Sequence, residues 1–226
     1  MEKGKRLTVQ SSGIGPDNMD IVLNELDALV NVDLNTREIK PNHTALNIVR
    51  IGTSGALQAD IPVDSWVMSK YAIGLDNMLR SYLIEEHSVA ELEDAFIAQT
   101  NWDLRKGRPT VVPCAETLEN KIYSDKFHKG FTGTAGGFYG PQGRVVRLNI
   151  QDPQLNSKMD AFNYNGTRMT NLEMETSAIY GLGKLLGHNC LSLNAIIANR
   201  AIGEFSSKPE ETVNELIKYT LDKLVE

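Results

Sequence analysis

Short β-type runs alternate with stretches of helical apolar spacing along nearly the whole chain, and this alternation limits the fold more than any other feature. Strands separated by helices favour crossover connections and a sheet buried on both faces. The predicted strands cover residues 7–10, 46–51, 65–73, 110–114, 130–135 and 191–198. Helical spacing begins at Asp17, where Met19, Val22, Leu23, Leu26, Leu29 and Val30 recur. It returns over residues 89–99, 116–128, 152–162, 171–186 and 209–225, with Gly187 ending the fourth of these. Ser207-Lys208-Pro209-Glu210 reads as a capping box for the last helix. A polar stretch, residues 35–42, separates the first helix from the next strand. No internal repeat or low-complexity linker divides the 226 residues, so one α/β domain over 1–226 is expected.

Composition removes several functional classes. A net charge of −6 opposes electrostatic binding to nucleic acid or to an anionic membrane. No apolar run is long enough to span a bilayer. Met1-Glu2-Lys3-Gly4-Lys5-Arg6 leads straight into Leu7-Thr8-Val9 without a signal-peptide core, which predicts a cytoplasmic address. Cys114 and Cys190 each stand beside apolar residues and read as buried free thiols rather than a disulfide. The sequons at Asn42 and Asn165 are then chance matches.

Familiar nucleotide and metal signatures fail. No Gly-Lys-Ser/Thr triplet forms a P-loop. Gly13-Ile14-Gly15 opens like a dinucleotide fingerprint, but Asn18 replaces the third glycine and Asp17 and Asp20 would repel a pyrophosphate there. Gly52-Thr53-Ser54-Gly55 is one residue too short for a nucleophile elbow. The histidines at 43, 87, 128 and 188 lack metal-ligand spacing, so no metal site is expected.

Three segments can carry chemistry. Arg50-Ile51-Gly52-Thr53-Ser54-Gly55 sets a fixed cation beside hydroxyls and close-approach backbone, which suits an oxyanion; a structural arginine at a strand end is the alternative. Phe138-Tyr139-Gly140-Pro141-Gln142-Gly143-Arg144 can read the edge of a planar heterocycle, with an aromatic ring on its face, or can be a simple turn. Glu173-Met174-Glu175 at a helix opening can accept sugar hydroxyls, or can only favour the helix start by charge.

In this order the segments resemble the uridine phosphorylase branch of the nucleoside phosphorylase superfamily. The matching motifs are Ser11-Ser12-Gly13-Ile14-Gly15, Arg50 to Ala56, Gln142-Gly143-Arg144, Glu173-Met174-Glu175 and Asn199-Arg200. The resemblance implies a three-layer α/β sandwich around a mixed, partly barrel-like sheet flanked by helices. It implies that Arg50 and Thr53 contact phosphate, that Thr53, Glu173, Met174 and Glu175 hold ribose, and that Gly55, Phe138, Gln142 and Arg144 bind the base. Arg50 and Glu175 would be the catalytic pair.

The implied reaction converts uridine and phosphate to uracil and ribose 1-phosphate, with phosphate as co-substrate and no cofactor or metal. It implies no nucleic-acid or membrane partner, and a homodimer or higher homo-oligomer. Purine-directed relatives place an aspartate where this chain has Asn199, which favours a pyrimidine whose base leaves as an anion. A purine-directed phosphorylase, a nucleosidase and a nucleoside-binding protein without turnover stay as alternatives. Members also begin with a βα segment bearing a Gly-Asp-Pro-x-Arg phosphate motif. None precedes Ser11, so an N-terminally shortened member with a weaker hold on phosphate is expected.

Overall fold

The computed structural model describes residues 6–226, and the charged opening noted above, residues 1–5, lies outside the described residues. Residues 6–13 run without regular structure, so the strand expected at 7–10 does not form. Leu7 and Val9 are exposed, and no strand among the described residues pairs with so short a run. Helix α1, Pro16–Asn31, starts with proline at its first turn and buries Met19 and Leu23. The polar stretch after it is built as a small hairpin of β1, Val32–Asp33, and β2, Glu38–Ile39. Asp33 Oδ1 accepts from the backbone N–H groups of Asn35 and Thr36 and closes its turn.

The main sheet is assembled from β3 (Asn47–Ala56), β4 (Trp66–Gly74), β5 (Thr110–Pro113) and β6 (Phe127–Thr134). It is completed by β7 (Asn163–Tyr164), β8 (Thr167–Glu173), β9 (Asn189–Asn199) and β10 (Glu204–Phe205). The order is β10-β9-β3-β8-β6-β4-β5, and β4 also pairs with β9. That extra pairing closes β3, β9, β4, β6 and β8 into a five-stranded ring of mixed direction.

Helices α2 (Ala90–Thr100) and α4 (Leu155–Ala161) cover one side, sharing an apolar cluster around Phe96, Phe131 and Phe162. The other side carries α1, α3 (Glu116–Ile122), α5 (Thr176–Leu185) and α6 (Pro209–Val225) over Met68, Leu118, Tyr180 and Leu216. The layered, partly barrel-like sheet expected from the sequence is therefore present.

Several boundaries differ from the sequence reading for physical reasons. The helix expected over 116–128 stops at Ile122, because Phe127 and His128 pair with Trp66 and Val67. The helix expected from Asn171 begins only at Thr176. Asn171, Leu172 and Glu173 instead end β8, pairing in parallel with β6, and Asn171 and Leu172 also pair with β3. At α6 the capping box does not form. Lys208 holds the N-cap position without a side-chain cap, and Ser206 Oγ accepts from the Lys208 N–H instead.

Tyr180 extends the junction that closes the ring. The β4–β9 ladder ends at Met68 opposite Leu193. Just beyond it, the Tyr180 hydroxyl donates to Ser69 O (2.7 Å) and accepts from Ser192 N (2.9 Å), replacing a direct strand-to-strand bond.

Candidate active site

Arg50 lies on β3 with its guanidinium spread over Gly52, where a Cβ would collide with Nη1. Its two terminal nitrogens have different partners. Nη1 donates to Asn194 Oδ1 (2.9 Å) and reaches Ser192 Oγ (3.4 Å), both on β9. Nη2 faces Glu175 Oε2 (2.5 Å) and Glu173 Oε2 (3.4 Å).

The two glutamates do different work. Glu173 Oε2 accepts from the N–H groups of Glu175 and Thr176, and Oε1 accepts from Thr134 Oγ1 (2.6 Å). It therefore caps the start of α5. Glu175 occupies the N-cap position but makes no cap bond of its own. Its Oε1 accepts from Gly15 N (2.7 Å), which ties the Gly13-Ile14-Gly15 turn to the site, and its Oε2 serves Arg50. Glu173 thus steadies the helix start and lies at the edge of the Arg50 pair, while Glu175 makes the closer contact with the cation.

A second cluster stands beside this one. Gln142 is buried, and its Oε1 accepts from Arg144 Nη1 (2.7 Å) and from Arg200 Nη2. Arg200 Nη1 also donates to the Gln142 carbonyl (3.1 Å). The Arg144 guanidinium donates to Phe138 O and lies over the Phe138 ring, 3.8 Å from its centre.

No carboxylate is paired with either arginine among the described residues. Burial, followed by the like charge of Arg144, brings Arg200 down to about 10, and burial lowers Arg144 as well. Arg200 packs on Gly55, where a Cβ would come within 2.9 Å of Nε. Gly55 sits opposite Leu172 in register, so this cluster lies one residue along β8 from Glu173. Arg144 and Tyr139 also line a largely apolar cleft of about 810 Å³ with Leu75 and Trp102.

The structure thus unites Arg50, Glu173 and Glu175 at one place, and Phe138, Gln142 and Arg144 at the next, with Gly55 between them. Met174 is half-buried between the glutamates. Thr53 is exposed, and strand alternation places it on the face of β3 opposite Arg50. Sequence reasoning missed Arg200 as a partner of Gln142. It also missed Asn194 and Ser192, whose polar character inside a strand otherwise built of Leu, Ala and Ile was a visible signal.

Asn199 is fully occupied elsewhere. Its Nδ2 donates to Gln58 O and Ile61 O, and its Oδ1 accepts from Ala201 N and Ile202 N. It shapes a turn and has no group left for a leaving base.

One set of metal-type donors converges among the described residues, although the sequence spacing did not suggest it. Asp27, His43 and His188 bring one ligand atom each within 4.8 Å of one another. His188 Nδ1 accepts from Leu46 N (3.2 Å), so its proton sits on Nε2, which faces Asp27 Oδ1 at 3.3 Å. An Nε2–H cannot ligate a cation, and the cluster reads as a histidine–aspartate contact fastening α1 to the start of β9. No helix among the described residues is long and apolar enough to cross a membrane.

The phosphorylase superfamily profile matches residues 1–225. The chain belongs to the phosphorylase superfamily. Within that superfamily it is 27% identical over 216 residues to the uridine phosphorylase of Thermococcus kodakarensis, covering 92% of this chain and 64% of the relative. It thus spans less than two thirds of that relative's length. It is also 26% identical to the DeoD-type purine nucleoside phosphorylase of Tolumonas auensis over 99% of this chain and 77% of the relative. Among solved structures it matches a Trypanosoma brucei nucleoside phosphorylase that shows uridine phosphorylase activity. The TM-score is 0.83 at 26% identity, over 95% of this chain and 78% of the other. A Phytophthora capsici uridine phosphorylase shares the fold at TM-score 0.60 and 21% identity, over 95% of this chain and 73% of the other.

Proposed function

We propose that this superfamily member cleaves uridine or related pyrimidine nucleosides with phosphate, giving uracil and ribose 1-phosphate. The observation that carries the reading is the donor-only character of the second cluster. With the Gln142 oxygen held by Arg144 and Arg200, the groups left for a ligand are its amide NH₂ and two guanidiniums. Such a rim suits the two carbonyl oxygens of uracil and the negative charge that the base acquires as it leaves. It offers no acceptor to the exocyclic amine of adenine. Asn199, an amide committed to its turn, also supplies no acid to protonate a departing purine.

The chemistry follows from position and charge. Glu175 orients the ribose hydroxyls, Arg50 holds phosphate on the face of the sugar opposite the base, and the Gln142 cluster draws off the base. The glycosidic bond breaks toward the base through an oxocarbenium-like sugar, which phosphate captures. No covalent enzyme nucleophile, metal or organic cofactor is required in this scheme. A cytoplasmic address and a homodimer or larger homo-oligomer belong to the same proposal; a monomer in sedimentation velocity would remove the assembly from it.

The experiment is phosphate-dependent release of free base from uridine, inosine and adenosine in parallel. Uridine is expected first and adenosine last. Faster release from inosine or adenosine would move the chain to the purine-directed class, and release from uridine that ignores phosphate would make it a nucleosidase.

A further inference from the structure

The interior of the five-stranded ring is wired rather than simply filled. Arg50 on β3 donates to Asn194 Oδ1 on β9 (2.9 Å), and Asn194 Nδ2 donates to Ser69 Oγ on β4 (3.4 Å). Ser69 Oγ lies 2.6 Å from Thr132 Oγ1 on β6, and Thr132 donates to Asn171 Oδ1 on β8 (2.8 Å). Asn171 Nδ2 then donates to Ser54 Oγ, back on β3 (2.8 Å). The path visits all five strands in their ring order.

Its polarity is fixed at both ends. Arginine can only donate, so the Asn194 oxygen must face Arg50 and its NH₂ must face Ser69. Asn171 Oδ1 can only accept, so Thr132 spends its proton there and Ser69 must donate to Thr132. Each group donates to the next, an arrangement in which the bonds reinforce one another. All the side chains behind Arg50 are buried.

We infer that Asn194 is a positioning residue of this site, anchoring the inner nitrogen of Arg50 so that the outer nitrogen is presented to the anionic co-substrate. The inference rests on the phosphorolysis reading given above. Nη1 has only uncharged acceptors, Asn194 and Ser192, so it is held without being neutralised. Nη2 meets the carboxylates of Glu175 and Glu173, groups that sugar hydroxyls can occupy. One nitrogen is therefore the tether and the other is the exchangeable end. An apolar residue at 194 would free the guanidinium to rotate and would also strand Ser69 at the head of the remaining chain.

The test compares Asn194→Leu in the native protein and in an Arg50→Lys background. In the native background it should raise the phosphate KM about tenfold while the uridine KM stays within about twofold. Lysine has a single terminal nitrogen, so in the Arg50→Lys background the same change should move the phosphate KM by no more than about twofold. Asn194→Ser, which keeps a hydroxyl acceptor, should fall between the two and covers the case in which the leucine variant does not fold. Calorimetric phosphate affinity is read alongside the kinetics on every variant, with thermal melting to confirm folding. An unchanged phosphate KM and affinity in folded Asn194→Leu or Asn194→Ser would overturn the inference. An equal loss in both backgrounds would do the same, since a merely structural residue acts additively. Failure of the native protein to release uracil in a phosphate-dependent way would instead count against the function itself, and calorimetry on the variants would still decide the role of Asn194.

Discussion

At the scale of single residues, the site is marked by charges held without their usual compensation. Arg200 is half-buried beside Arg144 with no carboxylate partner among the described residues, and its buried Nε makes no hydrogen bond. Keeping such a cation costs stability, so its removal should cost binding rather than folding. Arg200→Ala is expected to weaken uracil binding by about 1.5–3 kcal/mol, the worth of a hydrogen bond to a charged group. The melting temperature should stay level or rise, and calorimetry with a thermal melt on one preparation reads both.

Asp76 offers the opposite test. Its Oδ1 accepts from Met78 N (2.9 Å), but Oδ2 is buried without a partner, and burial raises its pKa, helped by Asp17 and Glu173. A carboxyl whose folded pKa lies above its unfolded value opposes folding increasingly as pH rises past the unfolded value, and fully once pH exceeds the folded one. Asp76→Asn keeps the Met78 contact and removes the charge. It should raise the melting temperature at neutral pH, with the gain fading as pH falls through the raised pKa toward 3.8. A gain equally large at pH 4 would show that ionisation is not the cause.

Among elements, legibility followed the source of each element's order. α6 was readable to the residue because its apolar stripe and Pro209 lie within the element. Strand β8 was not, since Asn171 and Leu172 fit a helical pattern and become strand only by pairing with β6 and β3. The hairpin of β1 and β2 was invisible for the same reason, because two-residue strands carry no periodicity. Helix α5 has a duty that no pattern shows, since its Tyr180 hydroxyl bridges Ser69 O and Ser192 N where β4 and β9 part. Tyr180→Phe would strand both backbone groups in the core and should destabilise the fold by about 1–3 kcal/mol in chemical denaturation. A loss below about 0.5 kcal/mol would mean that the gap closes or hydrates without the hydroxyl.

For the whole molecule, ring closure is what makes a site from residues spread between Gly15 and Arg200. The ordered motifs held most of the residues that meet here, but not Asn194 or Ser192, and the pairing depends on β4 meeting β9 and on β3 lying between β9 and β8, contacts far apart in sequence. Internal pairs close both ends of the site: Arg50 is paired with Glu175, and Gln142 with Arg200. Binding must therefore exchange internal partners for ligand groups, and exchanges that share a residue are energetically coupled. Under the proposed phosphorolysis, ribose hydroxyls engaging Glu175 would weaken its hold on Arg50 Nη2 and leave that nitrogen freer for phosphate. Phosphate bound at Arg50 would in turn release Glu175 to the sugar. The two ligands should bind with positive and reciprocal linkage, each raising the affinity of the other about fivefold or more. A C-nucleoside of uracil, which presents the same sugar and base but resists cleavage, allows the measurement without turnover. Phosphate is titrated into protein with and without the C-nucleoside, and the C-nucleoside with and without phosphate. Equal factors in the two directions are required by thermodynamics, so their agreement checks the experiment and their size checks the idea. In Glu175→Gln, which holds Arg50 less firmly, the linkage should shrink toward none. If the native protein shows independent binding of the two ligands, the Arg50–Glu175 pair is not what the ligands compete for, and that pair is only structural.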